Sequence, residues 1–139
     1  MRRRGFFGLV AAGAAMAAIG TFAPFATAGS YLDRAAILLD GGRKDIEAAK
    51  TRTGDKETLL VVKALTEARL KAARKMNVPA AVVDAHPHLM LVLENQDRAI
   101  DALIAGNTKK YAECLVNATD EERSFRNLIK QLGYALPKV

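Results

Sequence analysis

The sequence predicts an all-α protein: an antiparallel up-down-up-down four-helix bundle, preceded by a signal peptide or an N-terminal anchor. Three observations predict it. Beyond residue 30, apolar residues recur at steps of three and four, the period of a helix with one buried face. Strand-like runs bounded by turn residues are missing, since Val61-Val62 and Val82-Val83 are short and sit inside longer helical patterns. Turn signals then divide the chain into segments of about 20 residues, roughly 30 Å long as helices, whose short connections favour antiparallel neighbours.

The opening MRRRGFFGLVAAGAAMAAIGTFAPFATAGS has a positive start at Arg2, Arg3 and Arg4 and no further charge until Asp33. Ala26-Thr27-Ala28 supplies the small-x-small pattern of a cleavage site. This divides the chain into a leader, residues 1–28, and a single domain, residues 29–139. Arg3-Arg4-Gly5-Phe6-Phe7 resembles the twin-arginine class of export signal, although Arg2 stands where that class usually has Ser or Thr. That resemblance implies export in the folded state. The competing reading is an uncleaved anchor over residues 6–28, a charge-free stretch long enough to span a bilayer. Both readings place the domain outside the cytoplasm, in the periplasm or secreted.

The first helix is expected to begin after Ser30, whose hydroxyl can cap it. Leu32, Ala35, Leu39, Gly42, Ile46 and Ala49 follow as a seam. Gly41-Gly42 is costly within a helix, but the seam keeps its phase across the pair. One continuous helix, with Gly42 at a close helix contact, is therefore expected. Asp55 should cap the second helix, which turns Leu59, Val62, Leu65, Thr66, Leu70, Ala73 and Met76 inward. Lys63, Arg69, Lys71, Arg74 and Lys75 form its outer face, and Pro79 closes the segment by forcing Val78 out of helical geometry.

His86 to Ile104 is the organising helix. Leu89, Val92, Leu93, Gln96, Ala99, Ile100, Leu103 and Ile104 form its stripe, with Glu94, Asp97, Arg98 and Asp101 outward. Pro87 fits the first turn and Gly106 the stop. The fourth helix should run from Thr108 with Tyr111, Leu115, Ala118, Glu122, Phe125, Ile129 and Leu132 as its seam and Cys114 and Leu128 beside it. Thr119 to Glu122 also reads as a capping box, but unbroken phase favours continuity. Arg126 is the expected partner of Glu122, four residues away.

The formal charge of +6 falls to +3 once the three leader arginines are removed, too mild an excess to point to nucleic acid. Cys114 is the only cysteine, so an intramolecular disulfide is impossible. It reads as a small buried hydrophobe, the alternative being a dimer joined through it.

The most pointed local feature is His86-Pro87-His88, which holds both histidines of the chain. Imidazole is the commonest metal ligand, and Met76 and Met90 fall near the same corner. Together these four residues could serve a metal ion or haem. Against this, the Glu-x-x-His pairs of di-iron bundles and the Cys-x-x-Cys-His of covalent haem are both missing. Histidines flanking a helix-starting proline at a corner are the simpler account. No Ser nucleophile with partners and no Gly-rich phosphate loop is present, and Asn117-Ala118-Thr119 matches the glycosylation pattern only within a helix.

The expected function is thus a non-enzymatic, exported bundle that binds a protein or envelope component, with no confident cofactor. The alternatives are a metal- or haem-binding bundle at His86/His88, and a bundle that takes an apolar ligand or rests on an anionic membrane surface through Lys71, Arg74 and Lys75.

Overall fold

The computed structural model describes residues 19–139, with side chains described from Ala28 onward. The basic start, the twin-arginine-like pattern and most of the apolar leader lie outside the described residues. The protein is all-helical: α1 (Ile19–Lys50), α2 (Lys56–Arg74), α3 (His86–Ile104) and α4 (Thr108–Gln131), with a 3-10 turn over Ala80–Val82. This architecture is compatible with a helical bundle. Among the described residues there is no strand, and no helix is long and apolar enough to cross a membrane.

α3 is the central element. It buries the stripe from Leu89 to Leu103 expected of it, and Asn95 and Ala102 in addition, because α1, α2 and α4 all pack around it. Pro87 lies in its first turn, where a missing N–H costs nothing. Gly106, at φ 72°, takes the left-handed conformation that follows the helix end. The 3-10 turn precedes α3 as a separate element, because Pro87 cannot continue a helix from Pro79 through Ala85.

Asp55 caps α2 as expected, accepting from the backbone N–H of Thr58 at 3.1 Å and from its hydroxyl at 2.7 Å. Leu59, Val62, Thr66, Leu70 and Ala73 are buried, but Leu65 is exposed, a correction to the expected inward face. Two of the basic residues expected outward are half-buried instead. Lys63 bridges to Asp97 and Asp101 of α3, and Arg69 pairs with Asp45 of α1. Because α2 lies against both α1 and α3, residues flanking its apolar stripe meet neighbouring helices rather than water. Asp97 is turned inward for the same reason. Arg74 reaches Glu94 of α3 at 3.9 Å on the surface.

α1 is continuous through Gly41-Gly42. It begins well before Ser30, which is therefore not its cap; the Ser30 hydroxyl accepts from Arg34 inside the helix at 2.7 Å. A Cβ at Gly42 would collide with the side-chain amide of Gln96, so α1 meets α3 closely there and any larger residue would require the Gln96 amide to move. α4 is continuous past Ala118, and Thr119 bonds back to the Leu115 carbonyl at 2.9 Å instead of starting a new helix. Cys114, Ala118, Phe125 and Ile129 are its buried positions; Leu132 is exposed, and Cys114 lies in the seam rather than beside it.

Two apolar clusters form the core, each drawing on all four helices. One contains Tyr31, Leu39, Leu70, Leu93 and Phe125; the other contains Ile46, Leu59, Val62, Ile100 and Cys114. On α1, α2 and α3 they are separated by a polar layer that includes Gly42, Asp45, Thr66, Arg69, Gln96 and Asp97.

Candidate functional site

Two places concentrate polar chemistry: the histidine corner and a groove between α1 and α4. At the corner, Pro87 starts α3 and so fixes the two flanking histidines on different sides of it. His86 turns toward α1, where its Nδ1 lies 2.9 Å from the Tyr31 hydroxyl and the rings meet edge-on. Burial raises the Tyr31 phenol well above its usual range and lowers the His86 imidazole. Both directions keep the pair neutral, with the hydroxyl donating to the ring nitrogen. His88 turns toward α4, where its Nδ1 is 2.5 Å from Glu121 Oε2, suited to N–H donation to the carboxylate. Met76 and Met90 are partly buried against the first apolar cluster. Each histidine is thus engaged by a different helix. Among the described residues, no three His, Cys, Asp or Glu side chains group as metal ligands.

The groove follows from unequal packing. α1 rests on α2 and α3, while its approach to α4 is sparse. The gap encloses about 450 Å³. Ile46, Leu115 and Ala118 supply apolar surface, while Arg43, Arg123, Arg126, Glu47 and Glu122 supply charge. Arg43 crosses from α1 to Glu122 at 3.1 Å, and Arg126 donates to the same oxygen at 2.8 Å. Arg43 also lies 3.6 Å from Asp40, whose carboxyl the Lys44 hydrogen bond holds below the usual carboxylate range. Arg123 pairs with Asp120 at 2.8 Å on the exposed flank of α4. Beyond Arg43 and Arg126 the gap continues under the C-terminal residues Leu136 to Val139, and Tyr134 and Leu136 pack on the first apolar cluster.

Gln96 also lines this groove. It is only 6% exposed, and its amide lies flat against Gly42. Among the described residues its amide makes no hydrogen bond, whereas the amide of Asn95 next to it donates to the Leu91 carbonyl at 2.9 Å. Among the described residues the Tyr111 hydroxyl is buried without a partner, and its pKa is raised by burial and by the nearby charge of Glu47. Buried polar groups are normally paired, so the Tyr111 hydroxyl is unusual, whereas the Gln96 amide is not among the buried unpartnered groups.

Sequence reasoning pairs Glu122 with Arg126 and places Gln96 on the buried stripe, but it does not assemble the groove. Arg43 and Arg123 carry no local signal, and only the spacing of α1 from α4 brings them together. In comparisons with known proteins, the chain matches no family model, no curated protein and no solved structure.

Proposed function

We propose that this protein is an exported, non-enzymatic, antiparallel up-down-up-down four-helix bundle that binds a partner protein or envelope component through the groove between α1 and α4. The pairings support that topology. Lys63 with Asp101 and Arg74 with Glu94 order α2 and α3 in opposite directions. Tyr31 with His86 and Gly42 with Gln96 order α1 and α3 alike. The leader supports export to the periplasm or beyond.

The observation that carries the binding role is the open seam. Three of the packed helices line a concave, mostly apolar surface rimmed by arginines, a common form for a recognition site. Purification of the tagged full chain from its native host, with its N-terminus and co-purifying molecules identified, tests the reading. Thr119→Trp, at an exposed position on the groove wall, fills the gap without entering the core. The binding role predicts a co-purifying partner that Thr119→Trp removes while circular dichroism stays helical. A partner retained by that variant would overturn it.

A further inference from the structure

No residue of α2 lines the groove, yet α2 carries an unusual surface of its own. It packs on α1 and α3 through Leu59, Val62, Thr66, Leu70 and Ala73, and a surface helix ordinarily turns polar residues away from such a stripe. Here the opposite side is apolar for more than three turns. Leu60, Val61, Ala64, Leu65, Ala68 and Ala72 are all exposed, Leu60 at 56% and Val61 at 61%. A contiguous apolar face of this kind marks a contact surface. Charge stands at its two ends, with Glu57 at the N-terminal end and Lys71 and Lys75 at the C-terminal end. The flanking Glu67 and Arg74 reach Lys63 and Glu94, whereas Glu57, Lys71 and Lys75 enter no ion pair among the described residues.

We propose that this face pairs with the same face of a second copy of the chain, the two α2 helices lying antiparallel across a two-fold axis. An axis between Ala64 and Leu65 sets Val61 against Ala68 of the second copy. It also brings Glu57 level with Ala72 of the second copy, between that copy's Lys71 and Lys75. Symmetry repeats the arrangement at the other end, so each unpaired glutamate meets two unpaired lysines. Parallel helices would set Glu57 beside Glu57 and lysines beside lysines, and an anionic bilayer would meet Glu57 with like charge. The alanines let the helix axes approach to about 8 Å, the lower end of the usual range. From Glu57 to Lys75 the face is about 27 Å long and about 10 Å wide, a footprint of roughly 300 Å² per copy against the ~800 Å² of a standard interface. Contact of that size gives a weak, reversible dimer that forms at high concentration.

Sedimentation velocity of the protein purified from its native host, from about 10 μM to about 1 mM, tests the pairing. A monomer that passes into a dimer across that range is expected, and Thr119→Trp, on the groove wall, should leave it unchanged. Val61→Lys should hold the protein monomeric throughout. Glu57→Lys should weaken the dimer about tenfold, because it replaces attraction by repulsion at both ends. The combined Glu57→Lys, Lys71→Glu and Lys75→Glu variant restores opposite charges and should recover the native association. All four α2 positions are exposed, and circular dichroism with a cooperative melt establishes that each variant folds. A monomer throughout, or a dimer untouched by Val61→Lys or lost in Thr119→Trp, would overturn the pairing. Weakening by Glu57→Lys without recovery in the combined variant would overturn the antiparallel arrangement. Flotation with phosphatidylglycerol but not phosphatidylcholine vesicles, abolished by Val61→Lys while the protein in solution stays monomeric, would overturn it by assigning the face to a membrane.

Discussion

Asp97→Ala should weaken the fold by about 2 kcal/mol, although a helical wheel places Asp97 on the outer face of α3. Its carboxylate accepts from the Thr66 hydroxyl at 2.7 Å and from the Lys63 ammonium at 2.9 Å. Asp97 and Lys63 are 16% and 17% exposed, so water competes poorly for the pair. A hydrogen bond to a charged group contributes about 1.5–3 kcal/mol, while an exposed ion pair contributes under about 1 kcal/mol. Full loss of both bonds is cushioned because Lys63 keeps Asp101 at 2.9 Å and the Thr66 hydroxyl keeps the Lys63 carbonyl at 2.9 Å. Urea unfolding followed by circular dichroism gives the magnitude, and a cycle with Lys63→Ala should show coupling of about 1 kcal/mol. Asp101→Ala is the comparison: at 59% exposure it should cost no more than about 0.5 kcal/mol. Equal, small effects at Asp97 and Asp101 would refute the reasoning. The pH dependence adds a further check. Burial alone would lower the Lys63 pKa, but Asp101 and Asp97 outweigh it and raise it above the ordinary 10.5. A base raised on folding contributes in full below its unfolded value, so the bridge should hold until about pH 10.5 and weaken only beyond it.

Four further perturbations follow. Phe125→Ala, at a fully buried ring in the first apolar cluster, should cost about 3–5 kcal/mol in urea unfolding, and a loss under about 1 kcal/mol would contradict its place in the core. Asp55→Ala should cost about 1 kcal/mol by removing the α2 cap, with Asp55→Asn largely retaining it. His86, lowered by burial, should titrate below 6.5 by NMR; the unfolded chain then takes up its proton first, and stability falls as pH drops from about 6.5 toward the folded value. A His86 titration at or above 6.5 would remove that acid-side loss, and Tyr31→Phe should separately cost about 0.5–1.5 kcal/mol.

What the chain discloses before folding is set by how local the cause is. The bounds of α3, the Asp55 cap, the continuity of α1 at Gly42 and the Glu122–Arg126 pair depend on spacing within one element. All are legible. Lys63, Arg69 and Asp97 are not, because an isolated wheel assigns charges to water. Whether a flanking position meets solvent depends on how many helices surround it. Leu65 and Leu132 err the opposite way, being apolar in phase yet beyond the reach of a neighbour. Ser30 looks like a helix start because it is a good capping residue beside small ones, but the helix is already formed there. The histidine corner is visible as a motif, and its division between Tyr31 and Glu121 follows from the proline between the rings. The groove is invisible, since it consists of distance between α1 and α4.

The most direct measurement places a photo-crosslinking benzoylphenylalanine at Thr119 in the full chain, expressed in its native host, and the same group at Leu65 on the exposed face of α2. Docking in the α1–α4 groove predicts a discrete crosslinked partner from position 119 and none other than a second copy of the chain from position 65. A different partner captured from 65 but not from 119 would contradict it.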